Sequence, residues 1–210
     1  MRLTIFGATG RTGGQLTRQA LDAGHEVTAV VRDPARMTAP QHAKLHVLRA
    51  DVMEPDEIIA AVEGADAVVS ALGRRPGSAP GHVCSDAVRS ILAAMDKAGT
   101  RRLAVISAAG AYNDPNDPPL TRLVAKPLLQ RLLRASFADA HEMDRQVQAS
   151  GTAWTIVRPP QLTNGGRRGR YRRATDHLVG RRISRADLAD AILAAIGDPA
   201  TIGHTLGVGY

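Results

Sequence analysis

A chain of 210 residues with 44% hydrophobic side chains is long enough to bury one sizeable core, which excludes intrinsic disorder. Cys84 is the only cysteine, so no internal disulfide can form, and the reading is a protein of the reducing cytoplasm. The formal charge of +7 draws heavily on Arg167, Arg168, Arg170, Arg172, Arg173, Arg181 and Arg182, with only Tyr171 interleaved; nucleic-acid binding would want stacking aromatics there, so a solvated arginine-rich loop is expected instead.

Residues 1–6 read as a folded strand rather than a secretory signal, and no apolar run approaches the roughly 20 residues needed to span a bilayer. The strand runs into Gly7-Ala8-Thr9-Gly10-Arg11-Thr12-Gly13-Gly14, and a helical pattern follows over 13–23. Strand, glycine turn and helix together place backbone N–H groups around a pyrophosphate. Gly7 allows a sharp turn, Gly10 lets the chain approach phosphates, and Gly13 lets the helix lie against the strand. A nicotinamide dinucleotide is therefore the expected ligand.

Further strands are predicted over 27–31, 45–48, 67–71, 103–107 and 155–158, alternating with helices over 55–62, 83–98, 120–149 and 185–196. Gly24 and Gly99 stand where helices close, Ser184 stands at an N-cap position, and Pro127 should break or kink the long pattern. This alternation predicts an α/β fold: a Rossmann-type, doubly wound parallel sheet with helices on both faces. Residues 1–210 read as a single NAD(P)-binding domain, with a small substrate-side region from about residue 159 to the end.

In such a sheet ligands gather at the carboxyl ends of the strands. The segments after the strands are 7–13, 32–36, Asp51 with Val52, 71–75, 107–112 and 158–164. Arg32 follows the second strand, where an arginine accommodates a ribose 2′-phosphate and a carboxylate would take the 2′-hydroxyl. NADP(H) is thus favoured over NAD(H), with Arg11 and Arg36 as helpers, although a one-residue shift would put Asp33 in the NAD position. Asp51 is either a contact to the adenine amino group or a turn aspartate.

The chain lacks the Tyr-x-x-x-Lys pair that protonates an alkoxide: Asn116 stands four residues after Tyr112, and Thr175 four after Tyr171. Ser107 is the first candidate to hold nicotinamide or acceptor by its hydroxyl, with a turn serine as the alternative. Tyr112 stacks on an acceptor, donates from its hydroxyl, or covers the core edge. Gln161 is a candidate to orient the acceptor. His141, Glu142, Asp139 and Asp144 share a predicted helix, lack metal-site spacing, and read as a solvated face. Cys84 reads as a helix residue and Trp154 as core.

The combination of the 6–13 turn with Val30-Val31-Arg32-Asp33, Gly64-Ala65-Asp66-Ala67-Val68, Leu72-Gly73 and Ser107-Ala108 resembles the atypical short-chain dehydrogenase/reductases with an NmrA-like NAD(P)-binding domain. Ala149-Ser150-Gly151, Pro159-Pro160, the run from Ile183 to Ala189 and Tyr210 extend the likeness over the whole chain, nearest to the biliverdin-IXβ/flavin reductase branch. The resemblance implies an NADPH-dependent reductase with a shallow pocket for a planar small-molecule acceptor such as a flavin or quinone, working as a monomer or homodimer without a membrane. The cofactor positions it implies are Gly7, Thr9, Gly10, Arg11, Thr12, Gly13, Arg32, Asp51, Leu72, Gly73, Ser107, Pro159 and Pro160. Gln161 replaces the histidine that follows the proline doublet in that branch, and Ala109-Gly110-Ala111-Tyr112 replaces an aromatic-rich segment, so acceptor specificity does not carry over. A non-catalytic NADP(H)-sensing regulator is the alternative, and a nucleotide-sugar epimerase or dehydratase is weakened by the short carboxy-terminal region.

Overall fold

The computed structural model describes residues 1–74, 81–112, 130, 131 and 133–210. Five helices and ten strands occur among them, in the order β1 (Arg2–Phe6), α1 (Arg11–Asp22), β2 (Glu26–Val31), β3 (Leu45–Arg49), α2 (Pro55–Val62), β4 (Ala67–Ser70), α3 (Val83–Ala98), β5 (Arg102–Ile106), α4 (Arg134–Ala149), β6 (Ala153–Arg158), β7 (Gln161–Thr163), β8 (Arg172–Thr175), β9 (Arg182–Ser184), α5 (Arg185–Ile196) and β10 (His204–Gly209). Eight of the strands form one sheet in the order β3-β2-β1-β4-β5-β6-β10-β8. All its pairs are parallel except β10 with the edge strand β8. The remaining two, β7 and β9, pair with each other in parallel.

Both faces of the sheet are covered over its central strands, which is why β1, β2, β4 and β5 read as nearly continuous apolar runs, whereas the edge strands β3 and β8 stay largely exposed. Leu3 and Ile5 of β1 point into one core with Leu16, Ala20, Leu188 and Ile192 from α1 and α5. Phe6 points into the other with Ile58, Val88, Ile91, Met95 and Met143 from α2, α3 and α4. Thr4, the polar exception in β1, is buried and donates its hydroxyl to the Ala61 carbonyl. Helices α1 and α3 close as expected at Gly24 and Gly99, both left-handed, and the Ser184 hydroxyl accepts from the Asp187 N–H at 3.0 Å as the N-cap of α5.

Of the helical pattern 120–149, a helix runs over Arg134–Ala149, while residues 120–129 with Pro127, and Arg75 of the segment 71–75, lie outside the described residues. One expectation needs correction. The supposedly solvated acidic face of α4 is buried at two points, Asp139 and Asp144. Helix α3 has His82 at its N-cap position and no side-chain cap of its own, and Asp139 supplies one: its oxygens accept from the N–H groups of Cys84 and Ser85, both at 2.9 Å, and from the Ser85 hydroxyl at 2.6 Å. A carboxylate at a helix N-terminus is stabilised by the orphan donors there, which compensates for its burial.

The arginine-rich stretch is exposed as expected, yet it is tethered rather than loose. Asp187 accepts from the Arg168 and Gly169 N–H groups at 2.8 Å each, from the Ser184 hydroxyl at 3.1 Å, and from the Tyr210 hydroxyl. Asp190 pairs with Arg167 and accepts from the Tyr171 hydroxyl at 2.8 Å. Arg172 and Arg173 belong to β8 rather than to a loop.

Candidate active site

The glycine turn is shaped by steric exclusion. Gly7 has φ +83°, and a Cβ there would stand 2.7 Å from the Ala71 carbonyl oxygen, so this residue also lets the end of β4 close against the turn. A Cβ on Gly13 would stand 2.1 Å from the Gly7 carbonyl oxygen, so only glycine allows α1 this close to the strand it follows. Gly10 is the N-cap of α1; no side chain caps that end, and its first turn holds no acidic residue. The orphan N–H groups and the positive end of the helix dipole therefore face outward unopposed, as an anion-binding turn requires.

The strand order around this turn reverses between β1 and β4, which makes it the topological switch point of the sheet. Thr9, Gly10, Arg11, Thr12 and Gly13 sit at the turn and the start of α1, and Leu72 and Gly73 follow β4 after Ala71. Arg32 is the first residue past β2 and is exposed, whereas the Asp33 side chain accepts from the Ala35 N–H at 3.1 Å and caps a short 3₁₀ turn. Asp51 likewise accepts from the Met53 N–H at 3.0 Å, a local turn contact, and Val52 packs on the second core.

A compact polar network lies at the ends of β5 and β6. Asp144, 2% exposed, accepts at one oxygen from the Ser107 hydroxyl at 3.0 Å, the Tyr112 hydroxyl at 2.6 Å, and Arg158 Nε and Nη2 at 3.2 and 2.9 Å. The Arg158 guanidinium carbon stands 3.5 Å from the Tyr112 ring centroid, and His141 meets that ring edge-on at 4.4 Å. Burial, and then the hydrogen bond to Asp144, push the Tyr112 phenol well above its usual range. The Pro159 carbonyl accepts from the Ala109 N–H at 3.1 Å, so the proline doublet and the turn after Ser107 meet at the same place. Gln161 lies apart from the network, exposed at the start of β7.

Sequence reasoning brought Ser107 and Tyr112 forward but set Asp144 aside. The signal was present: Ala140, Met143 and Val147 mark a buried stripe on α4, and Asp144 falls within it.

Switch point, glycine turn and strand order together define a dinucleotide-binding Rossmann domain. A model of NAD(P)H-binding proteins matches residues 7–199, and the chain belongs to that family. YwnB of Bacillus subtilis (strain 168) is 31% identical over 208 residues, covering 95% of this chain and 93% of YwnB. YhfK of the same strain, described as an uncharacterized sugar epimerase, is 28% identical over 208 residues, covering 96% of this chain and 90% of YhfK. A solved short-chain dehydrogenase/reductase (wide type) from Veillonella parvula DSM 2008, in complex with NADP, has a TM-score of 0.79 at 20% identity, covering 100% of this chain and 94% of that one, which shows a shared fold. Among the described residues no helix is long and apolar enough to cross a membrane.

Proposed function

We propose that this protein is an NADPH-dependent reductase that passes hydride to a flavin- or quinone-like acceptor. The observation that carries this reading is the Tyr112 hydroxyl, whose proton is held by Asp144. A phenol so held, with its acidity depressed, is a poor general acid. An acceptor that becomes a delocalised anion on reduction takes its proton from water and needs no such acid, whereas a ketone does.

The turn fits a dinucleotide because Gly7 and Gly13 let strand, turn and helix close on one another with no side chain between them, beside an uncapped helix N-terminus. When bound, the nicotinamide supplies the hydride, losing two electrons that the acceptor gains. Gly7, Thr9, Gly10, Arg11, Thr12 and Gly13 hold the pyrophosphate; Asp51 and Val52 border the adenine; Leu72, Gly73, Pro159 and Pro160 border the nicotinamide side. Arg32 takes the 2′-phosphate, a role favoured because Asp33 is committed to its own turn. Ser107 and Tyr112 present a hydroxyl and a ring edge to the acceptor, fixed from behind by Asp144 and Arg158, and Gln161 orients its far end. In the same reading residues 1–210 form one cytoplasmic domain, with 159–210 on the acceptor side.

NADPH absorbance followed with riboflavin, FMN and simple quinones tests this. Turnover well above the uncatalysed background supports the reductase. Tight NADPH binding without turnover overturns it in favour of an NADP(H) sensor.

A further inference from the structure

We propose that β8 is a docking edge for an extended acidic segment of another protein, which joins the sheet as a further strand. β8 is the last strand of the sheet, paired along one side with β10 and along the other with no strand among the described residues. Alternate N–H and C=O groups of such a strand point away from the neighbour already in place, and an incoming strand can complete that ladder. Both ends of β8 are fixed. Before it, the Tyr171 hydroxyl donates to Asp190 at 2.8 Å; after it, Asp176 accepts from the Thr205 N–H at 3.0 Å and pairs with His204 at 2.8 Å. The edge is therefore ordered before a partner arrives, and the ordering cost of binding falls on the partner alone.

The charge along this edge selects the partner. Arg172 and Arg173 are successive residues of β8, so they stand on opposite faces of the sheet, and Arg170 precedes them. Arg182 and its neighbour Arg181 come to the same corner, because the Arg182 carbonyl accepts from the Tyr210 N–H at 3.0 Å, one residue past Gly209, which faces Arg172. Among the described residues Arg170, Arg173, Arg181 and Arg182 take part in no ion pair, and Arg172 spends one donor on the Tyr210 carbonyl at 3.2 Å. The nearby carboxylates Asp176, Asp187 and Asp190 are engaged by the contacts already given. A strand bearing glutamate or aspartate thus gains cross-strand charge pairs in addition to the ladder. A nucleic acid or an anionic lipid surface would meet the charge and leave the ladder empty. Stacking is also wanting: Tyr171 and Tyr210 pack on the first core, and Arg168 lies over the Tyr210 ring at 5.0 Å.

The docking edge does not depend on any turnover, and binding to the full chain tests it. The probe is a labelled peptide alternating glutamate with valine, beside two versions N-methylated on alternate residues, one in each frame. Fluorescence anisotropy should show binding that weakens with added salt. One methylated frame should bind like the parent and the other roughly ten-fold more weakly, because only one set of peptide amides faces β8. Hydrogen exchange at the β8 amides should slow in the complex. The variant Arg172→Gln with Arg173→Gln changes two exposed side chains, and should keep native thermal unfolding while binding the parent peptide roughly ten-fold more weakly. Failure of the parent peptide to bind overturns the proposal, as does equal binding of the two methylated frames, which would reduce the contact to charge alone. Unchanged exchange at β8, or undiminished binding by the folded double variant, overturns it too. So does single-stranded DNA or a phosphatidylserine vesicle that slows exchange at β8 more than the peptide does.

Discussion

The Tyr112 hydroxyl donates to the buried Asp144 carboxylate at 2.6 Å while the Arg158 guanidinium lies 3.5 Å from the Tyr112 ring centroid. The ring is thus held on one side by an anion at its oxygen and on the other by a cation at its face. Removing the phenol oxygen removes a hydrogen bond but not the ring. Tyr112→Phe should cost about 1 kcal/mol of stability and leave flavin or quinone reduction within about three-fold of wild type. Tyr112→Ala removes the ring, and should lower kcat/KM more than it lowers stability. A steady-state assay beside urea unfolding checks both.

Asp144→Ala is a different matter, because Arg158 would stay largely buried without its counter-charge. Breaking one side of such a pair costs about 3–5 kcal/mol. Asp144→Asn keeps the shape and should cost less. The order of the two urea midpoints is the measurement.

Arg32 reaches solvent just past β2, whereas Asp33 caps its own turn. Arg32→Ala should therefore raise the KM for NADPH by about ten- to a hundred-fold and leave that for NADH nearly unchanged. Asp33→Asn should not alter the preference. Parallel titrations with both nucleotides decide this.

Gly13→Ala places a methyl group 2.1 Å from the Gly7 carbonyl oxygen, and backbone must shift to admit it. The expected outcome is a loss of at least about 2 kcal/mol together with the loss of dinucleotide binding. Thermal unfolding and a fluorescence titration with NADPH report the two effects separately.

Asp187 gives a pH signature. Burial works to raise its pKa, but hydrogen bonds from Tyr210, the Gly169 and Arg168 backbone and Ser184 prevail and hold it below the usual carboxylate value. A carboxylate lowered in the folded state contributes stability that is present above its unfolded pKa of about 3.9 and is lost as pH falls through the folded value. Tyr210→Phe removes one of those donors. The variant should be less stable by about 1–2 kcal/mol at pH 7, and the gap should close in acid, below about pH 4. Urea unfolding across that range checks the sign.

How far the sequence foretold this molecule depends on where the information lay. The helices over 55–62, 83–98 and 185–196 were legible to the residue, because apolar periodicity is framed by Pro55 at the start of α2, by Gly99 at the close of α3 and by the Ser184 cap of α5. Strands β1, β2, β4, β5 and β6 were visible for a related reason, since a strand buried on both faces is a nearly unbroken apolar run, while the exposed edge strand β3 was marked by Leu45, Val47 and Leu48. Strands β7, β8, β9 and β10 were missed. β8 is Arg172–Thr175, with no apolar pattern, and is held by pairing with β10 rather than by burial. In the site, the glycine turn declared itself by spacing alone. Asp144 did not, because a carboxylate inside an apolar stripe looks like an error until Ser107, Tyr112 and Arg158, distant in sequence, are seen around it.

The outer position of β8 has a bearing on how copies of the chain meet. Its far side presents unpaired backbone groups to any strand that arrives, the geometry by which sheets grow from one molecule into the next. Arg172 and Arg173 stand on that rim, and a second rim approaching it would bring its own guanidiniums against them. Growth of the sheet through two β8 edges is opposed by charge, so a concentrated solution should resist fibril seeding along that edge and resist it less when both arginines become valine.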